Sequence, residues 1–242
     1  MTCGFQLTAN KENLDAARNE FRLATRLDPN NTRAVEGKAR CENESHVAEL
    51  LRDADRVIAP SQDVAVVVMG PLNRQIVLKK WGLIPSWSKV GKAEFATFNA
   101  RAESVREKPT YRQAFQQRRC IVPVDGFYEW TGPKGGKIPH FFERKDGAPL
   151  ALAGLHETWR SKDSQEQIHS FTIIVTAANS WMSFYHERMP VILEEGNLNC
   201  WLAASSDKAA SLMRAAEEDV LQERVVSTLV NNVKNDGPEL LA

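Results

Sequence analysis

Residues 122–130 read VPVDGFYEW and show the pattern that governs most of the chain. An apolar run ends at Asp125 and Gly126, a pair typical of turns, and a second apolar run follows that carries one carboxylate, Glu129. Short runs rich in Val and Ile and separated by Gly, Pro or Asp are typical of β-strands. Similar runs are DVAVVVM (63–69), QIVLKKWGLI (75–84), HFFERKDG (140–147), PLALAGLHETW (149–159), SFTIIVTAA (170–178) and MPVIL (189–193).

Helical patterns interrupt these runs around residues 110–117 and 206–216. Because the strand-like runs dominate, the sequence predicts an α+β domain with a mostly antiparallel or mixed β core and flanking helices.

Residues 11–54 have a different texture. Apolar side chains such as Leu14, Phe21 and Leu27 recur at helical spacing, and DPNN at 28–31 predicts a helix stop followed by a new start. The segment also resembles part of a tetratricopeptide repeat, but a single repeat cannot bury its own face, so a repeat scaffold would need more repeats than the chain contains. We interpret residues 1–242 as one domain, with 11–54 as an atypical helical, repeat-like segment and 56–242 as the core.

Net charge, cysteine spacing and the length of apolar runs limit the kinds of site and the cellular location that this chain can have. The 242 residues carry 31 Lys and Arg against 31 Asp and Glu, so any nucleic-acid site must be a local patch. The four cysteines form no C-x-x-C pair, which argues against a zinc site or a dithiol motif. No apolar run has the length of a signal peptide or a membrane span. We expect a cytoplasmic, nucleoid-associated protein, or a nuclear one in a eukaryote.

Two segments besides 122–130 carry polar residues in notable positions. In FNARAES (98–104), Asn99, Arg101 and Glu103 recur at period two, so on a strand they share one polar face, as a solvated edge strand also would. In HERMPVIL (186–193), His186 directly precedes an apolar run; histidine changes charge near neutral pH, although many such histidines are structural.

Glu129 lies between Tyr128 and Trp130 in the sequence. Desolvation by these rings would raise its pKa and suit it to proton transfer near neutral pH, whereas a glutamate beside aromatic residues is ordinarily exposed. The histidines at 46, 140, 156 and 169 lie in contexts that favour structural roles.

Six segments together resemble, in this order, the SRAP (SOS-response-associated peptidase) domain family. They are WGLIPSW (81–87), FNARAES (98–104), VPVDGFYEW (122–130), TAAN (176–179), HERMPVIL (186–193) and VNNVKNDGPELL (230–241). The resemblance extends from IAPSQ at 58–62 to the C-terminus. It implies an abasic-site sensor that binds single-stranded DNA and forms a covalent link to the lesion, with lyase and peptidase-type (hydrolase) activity. It implies no cofactor and no metal, and we expect a monomer without a membrane partner.

The resemblance implies a catalytic set of four residues. The family's N-terminal cysteine attacks the ring-opened sugar, and its counterpart is Cys3. Asn99 would position the reacting groups, Glu129 would transfer protons during Schiff-base formation, and His186 would assist opening of the sugar ring.

The resemblance also implies a set of DNA contacts. Arg101 would hold a backbone phosphate, and Thr176 would add a second phosphate contact. Trp87 and Pro60 would form the wedge that stacks on bases where the strand bends. Stacking and phosphate contacts of this kind give binding that tolerates any base sequence.

The N-terminus departs from the family pattern. The family begins with Cys-Gly-Arg-Phe directly after methionine, whereas this chain reads Met1-Thr2-Cys3-Gly4-Phe5, without the arginine. An imine that closes to a thiazolidine needs the amine and the thiol of one cysteine, so Cys3 is competent only if Thr2 is removed. The family's asparagine before IAP is also replaced, by Val57.

Three functions therefore stay open at the level of sequence. The first is a covalent abasic-site sensor that acts through Cys3. The second is a module that binds single-stranded DNA without crosslinking, because Cys3 is not N-terminal. The third is a cysteine peptidase that removes its own leading residues with help from His186 or Glu129, which would free the Cys3 amine for the first function.

Overall fold

The computed structural model describes residues 7–9, 56–71, 73–232, 235, 237 and 240. The helical prediction for 11–54 and the position of Cys3 lie outside these residues. The strands within them are β1 (Leu7–Ala9), β2 (Arg56–Ile58), β3 (Asp63–Met69), β4 (Arg74–Trp81), β5 (Asn99–Arg101), β6 (Arg119–Val124), β7 (Gly126–Thr131), β8 (Ile138–Arg144), β9 (Leu150–Arg160), β10 (Gln167–Ala177), β11 (Arg188–Pro190) and β12 (Leu221–Val225). The α-helices are α1 (Arg112–Gln117), α2 (Leu198–Ala203) and α3 (Ser206–Ala210), and short 3-10 turns span Met182–Phe184, Glu195–Asn197 and Thr228–Asn231.

The strands form two sheets. The smaller sheet has the order β12-β8-β7-β1-β2, with every pair antiparallel. In the larger sheet, β10 is followed by β4, β3, β6 and β9, and β9 pairs with β10 again, so these five strands close into a ring. Closure leaves the ring without free edges and encloses a packed interior. The predicted mostly antiparallel or mixed β core is confirmed.

The C-terminal half of β10 holds two short additional strands. β5 runs parallel to it along one edge, where Asn99 pairs with Ile173 and Arg101 with Val175. β11 runs antiparallel along the other edge, where Pro190 also pairs with Val175. The geometry of strand pairing therefore brings two distant polar segments of the sequence to the same end of one strand.

The two sheets share one apolar core. Inward-facing side chains of the larger sheet, including Val66, Val122 and Phe171, pack in one cluster with Phe127 and Phe142 of the smaller sheet. The outer face of the larger sheet packs against the helices in a second cluster. Glu129 of β7 lies near His186, which precedes β11 at the end of β10. Among the described strands, β7 has no backbone pairing with β10 or β11.

The predicted elements mostly agree with the structure. Every strand-like run overlaps an observed strand, and helices α1 and α3 lie within the predicted helical stretches, although α3 ends at Ala210 rather than near 216. Helix α2 and strand β12 were not predicted. In LQERV at 221–225, apolar and polar residues do not alternate in the way that predicts a strand. This segment is a strand because it pairs with β8.

Gly126 has a different role from the one that its place beside Asp125 indicates. It is the first residue of β7, where a Cβ atom would lie 2.3 Å from the Phe142 carbonyl oxygen and 2.4 Å from Cζ of Phe141. The chain bends at Asp125, as the sequence indicates. Gly126 itself has no positive φ, and the glycine is required because a neighbouring strand approaches closely.

Candidate functional site

Glu129 is a buried carboxylate on the inner face of β7. Its side chain is almost fully enclosed, with a residue exposure of 3%, and Oε1 has no hydrogen-bond partner within the described part of the chain. Burial raises the pKa of Glu129 to about 8, although a hydrogen bond from the Trp130 backbone and the charge of Lys137 oppose the rise. The carboxyl group is therefore largely protonated at neutral pH and can act as a general acid.

The reason for this burial differs from the one expected from sequence. Neighbours along a strand point to opposite faces, so Tyr128 and Trp130 do not flank the carboxylate. They pack with Phe141 in a separate apolar cluster on the other face of the smaller sheet. Glu129 instead shares its face with Phe127, which packs in the core between the sheets. The predicted desolvation is confirmed, but the opposing sheet causes it.

His186 lies opposite Glu129, in the short connection between the 3-10 turn Met182–Phe184 and β11. Its Nδ1 atom is 3.8 Å from Oε1 of Glu129. The backbone N–H of Arg188 donates to the same Nδ1 over 2.9 Å, which requires an unprotonated Nδ1 and assigns the ring proton to Nε2. The Arg188 carbonyl oxygen, 3.1 Å from Nδ1, would need the opposite tautomer. Because a backbone N–H can only donate, we assign Nδ1 as the acceptor.

A largely protonated carboxyl group thus faces an imidazole whose Nδ1 accepts a backbone hydrogen bond. The carboxyl group can supply a proton, and the Nε2–H of the imidazole can donate a hydrogen bond to a sugar oxygen, which are functions that reversible carbonyl chemistry uses.

Asn99, Arg101 and Thr176 gather around the C-terminal end of β10. Asn99 is half-buried, and its Oδ1 atom is buried with no hydrogen-bond partner in the described structure. Arg101 is exposed, and Thr176 is buried beside Met189 in the pairing of β10 with β11. A buried amide oxygen without a partner is uncommon, and such a group is available to a ligand.

Glu103 does not share a strand face with Asn99 and Arg101, because β5 ends at Arg101 and Glu103 lies in the turn that follows. Its carboxylate accepts two hydrogen bonds from the guanidinium of Arg188, over 2.6 and 3.0 Å. These bonds lower the pKa of Glu103. The sequence motifs contain both Glu103 and Arg188 but do not connect them, since 85 positions separate the two residues.

A second polar network lies beside Glu129. His140 pairs directly with Glu129 in the register of β7 and β8, and its Nδ1 contacts Oε1 of Glu223 over 2.5 Å. The Tyr185 hydroxyl donates to the other oxygen of Glu223 over 3.2 Å, and Nε2 of His140 contacts Oγ1 of Thr131 over 2.7 Å. His140 is part of a hydrogen-bonded network, as expected for a histidine with a structural role. The network extends through Glu223 to Tyr185, the residue before His186.

The predicted base-stacking residues lie in two separate loops. Trp87 follows β4, is 56% exposed and borders a surface depression with Arg112 and Gln116 of the α1 region. Pro60 is partly buried in the turn between β2 and β3, where Ser61 has φ of 76°. Among the described residues, no hydrogen bond, ion pair or ring contact connects Trp87 or Pro60 to the Glu129–His186 pair.

Strand β1 brings the N-terminal part of the chain to the site. It lies between β2 and β7, and Leu7 pairs with Phe127, two residues before Glu129.

Cys120 and Cys200 are free thiols, with Cys120 buried. Within the described ranges, no group of three or more His, Cys, Asp or Glu side chains is placed to hold a metal ion. The helices of those ranges also include none long and apolar enough to cross a membrane.

The fold and the site segments together define the class of protein. The family model of the SOS response associated peptidase (SRAP) matches residues 7–233, and the chain belongs to this family.

Particular relatives carry more specific names. The chain is 39% identical over 189 residues to the abasic site processing protein YoqW of Bacillus subtilis, a match that covers 76% of this chain and 84% of the relative. It is 34% identical over 195 residues to the abasic site processing protein HMCES of Gallus gallus, which covers 70% of this chain and 57% of that protein.

Solved structures show the same fold. A crystal structure of a protein from Bacteroides thetaiotaomicron matches with a TM-score of 0.72 and 27% identity, over 87% of this chain and 95% of the other. One from Bordetella bronchiseptica matches with a TM-score of 0.65 and 29% identity, over 71% and 87% of the two chains.

Proposed function

We propose that this protein binds single-stranded DNA at abasic sites and forms a covalent crosslink to the lesion through Cys3. The observation that carries the proposal is the Glu129–His186 pair, in which a buried, largely protonated carboxyl group faces an imidazole at 3.8 Å. The names of the relatives YoqW and HMCES support an abasic site as the substrate.

The chemistry begins with the sugar. In its closed form an abasic deoxyribose is a hemiacetal. Loss of the proton from the anomeric hydroxyl forms the C1 carbonyl, while the bond from C1 to the ring oxygen breaks and that oxygen takes up a proton. Glu129 can supply the second proton, and solvent water can take the first. His186 can assist by donating a hydrogen bond from Nε2–H to the sugar, because its Nδ1 already accepts from the Arg188 N–H.

Crosslinking then follows in two steps. The Cys3 α-amine adds to the C1 aldehyde, and one amine proton passes to the carbonyl oxygen to give a carbinolamine. Glu129 regains its proton from solvent at neutral pH, because its pKa is about 8, and then protonates the hydroxyl, which leaves as water. The Glu129 carboxylate takes the remaining proton from nitrogen, and an imine results. The Cys3 thiol next adds to the imine carbon and its proton passes to nitrogen, which closes a five-membered thiazolidine ring. An α-amine with a pKa of about 8 is partly neutral at pH 7, as the first step requires.

Chain connectivity supports delivery of Cys3 to this pair. Cys3 precedes Leu7 by four residues, a length that spans at most about 14 Å when extended. Leu7 is paired with Phe127 on the strand that carries Glu129. The covalent chain therefore allows Cys3 to reach the carboxyl group.

The residues around the end of β10 suit a DNA backbone. Arg101 is an exposed cation beside Thr176, and Asn99 offers a buried amide oxygen with no partner among the described residues, suited to hold the reacting amine or a sugar hydroxyl. Trp87 and Pro60 would stack on bases further along the strand.

Thr2 makes crosslinking conditional on processing, because an amide nitrogen at Cys3 cannot form an imine. We propose that the protein removes its own leading residues. The Cys3 thiol would attack the Thr2 carbonyl while the C–N bond between Thr2 and Cys3 breaks, and Glu129 or His186 would transfer the thiol proton to the departing nitrogen. Water would then hydrolyse the thioester, which releases Met1-Thr2 and restores the thiol beside a free amine. The second candidate function is non-covalent binding of single-stranded DNA, which Thr2 favours if it is retained.

The deciding experiment incubates the purified protein with a single-stranded oligonucleotide that contains one abasic site. We expect an adduct that survives denaturing electrophoresis, is absent with the undamaged oligonucleotide, and is lost in Cys3→Ala. Intact mass measured on the same sample reports whether Cys3 is the first residue. A free Cys3 amine with no adduct would overturn the covalent function, and a retained Thr2 with normal binding of undamaged DNA would establish the non-covalent one.

Glu129→Ala tests the processing step separately. If self-cleavage frees Cys3, this variant should retain Met1 and Thr2 while the wild type loses them under the same expression conditions. Equal removal in both proteins would exclude Glu129 from the step, and removal that persists in Cys3→Ala, which lacks the attacking thiol, would assign the processing to another enzyme.

A further inference from the structure

His186 lies in a short connection whose backbone hydrogen bonds reach only the 3-10 turn and the end of β10. The N–H groups of Tyr185 and His186 donate to the Met182 carbonyl oxygen, and the Ala178 N–H donates to the Glu187 carbonyl oxygen. The 3-10 turn Met182–Phe184 ends two residues before it, and β11 begins two residues after it. Glu129 belongs to the smaller sheet, whereas β11 belongs to the larger one, and no backbone pairing joins β7 to β11 among the described strands. Among the described residues, no backbone hydrogen bond of this connection reaches β7, so side-chain contacts link the position of His186 to that of Glu129.

One contact ties the N-terminal side of His186 to the smaller sheet. Tyr185 donates its hydroxyl hydrogen to Glu223, and the other oxygen of Glu223 contacts His140, the residue paired with Glu129. The Tyr185 ring also packs against the His140 ring, with 5.1 Å between the ring centroids. Tyr185 is thus held by β12 and β8, and β8 is the strand that pairs with β7 beside Glu129.

A different contact ties the C-terminal side of His186 to the larger sheet. The guanidinium of Arg188 is held through two hydrogen bonds by Glu103, which follows β5. The backbone N–H of the same arginine donates to Nδ1 of His186. Fixing the Arg188 side chain therefore helps to fix the N–H that orients the imidazole.

We propose that Glu103 and Glu223 are positioning residues that hold His186 from both sides at its working distance from Glu129. This inference rests on the function proposed above. Neither carboxylate contacts the Glu129–His186 pair directly; each acts through a residue next to or near His186. Because the Glu103 side chain is 53% exposed, its ion pair adds little to stability, so its loss can alter the site without unfolding the protein.

Two mild variants break one contact each. Tyr185→Phe keeps the ring and removes only the hydroxyl that reaches Glu223. Glu103→Gln keeps the size of the side chain but removes the charge that pairs with Arg188. Matched controls are Glu143→Gln, a carboxylate of β8 that contacts Arg224 and Gln222, and Asp207→Asn, which breaks the exposed pair with Arg106.

The first measurement uses the free protein without DNA. Nitrogen-15 NMR of the histidine rings should show His186 with its proton on Nε2 in the wild type and both controls. In Tyr185→Phe and Glu103→Gln we expect a mixture of tautomers, since Nδ1 is no longer held as the acceptor. Thermal unfolding of the same samples identifies any variant that has lost its fold.

The second measurement is the single-turnover rate of crosslinking as a function of oligonucleotide concentration. We expect the maximal rate to fall by about 10- to 100-fold in both variants, the range that a small misplacement of a reacting group causes, with the half-saturating concentration unchanged. An unchanged His186 tautomer overturns the inference, as does an effect confined to the half-saturating concentration. If the wild type forms no adduct, the NMR measurement alone decides, so failure of the proposed function and failure of this inference are distinguishable.

Discussion

Oε1 of Glu129 lies 3.8 Å from Nδ1 of His186, although the two residues are attached to different sheets. Glu129 is part of β7 in the smaller sheet, and His186 precedes β11 of the larger one. The sheets are joined by the apolar core and by side-chain contacts, and the pair lies where the smaller sheet meets the end of β10. This relationship connects the packing of the fold with its proposed chemistry.

Glu129→Gln should remove the proton donor while leaving the shape of the side chain. We expect the crosslinking rate to fall by about 10²- to 10⁴-fold. In the wild type the rate should rise with pH as the α-amine loses its proton and then fall as Glu129 ionises, because the pKa of Glu129 is about 8. Single-turnover rates measured below and above pH 8 test both the rise and the fall of the rate. A high-pH limb that persists in Glu129→Gln would exclude Glu129 as the acid, and Glu143→Gln serves as the control.

The same carboxyl group should make stability depend on pH. The folded-state pKa of about 8 lies above the ordinary value of 4.5, so the unfolded state ionises first and stability declines as pH rises between these values. Glu129→Gln lacks this decline, and its free energy of unfolding relative to the wild type should increase by about 4 kcal/mol across that window. Urea unfolding near both ends of the window measures the difference. Parallel curves for the two proteins would contradict the raised pKa.

Arg101→Ala should weaken binding of undamaged single-stranded DNA and reduce the salt dependence of binding by about one counterion. Fluorescence anisotropy at several salt concentrations gives both quantities. Arg160→Ala is the matched control, since Arg160 pairs with Gln167 at the opposite end of β10. Equal losses in the two variants would show that Arg101 acts only through the net charge.

Trp87→Ala should weaken binding of single-stranded DNA by about 1 to 3 kcal/mol, the value of one base stacked on an aromatic ring. Trp87→Phe should recover part of the affinity. Phe95→Ala is a control from the same loop, where Phe95 is similarly exposed, at 53% against 56%. Unchanged affinity in Trp87→Ala would remove this residue from the DNA path.

Gly126→Ala should destabilise the fold by about 3 kcal/mol or more, because the added methyl group would overlap the Phe142 carbonyl and the Phe141 ring. Denaturant unfolding measures the loss. At Gly136 the nearest atom to an added Cβ is 4.0 Å away, so Gly136→Ala is the control and should retain near wild-type stability. A stable Gly126→Ala would mean that β7 and β8 can separate locally without cost.

Much of the fold was predictable because its signals are local. DVAVVVM and SFTIIVTA are apolar runs of strand length, and they appear as β3 and as most of β10. Helix α2 and strand β12 were not predictable in this way, since LNCWLA and LQERV carry weak periodic signals and depend on their packing partners. The predicted helical segment 11–54 remains a prediction.

Sequence by itself determined which residues are chemically notable, because the motifs that contain them identify Glu129, His186, Asn99 and Arg101. It also determined the condition that Thr2 imposes on Cys3, because that condition concerns covalent bonds between neighbours. Tertiary structure alone decided that Glu129 is desolvated by the opposite sheet rather than by its neighbours, and that Glu103 meets Arg188 and Glu223 meets His140 across 85 and 83 positions of sequence. The physical reason is that burial and pairing depend on strand register and on the packing of two sheets, and these are properties of the whole folded chain.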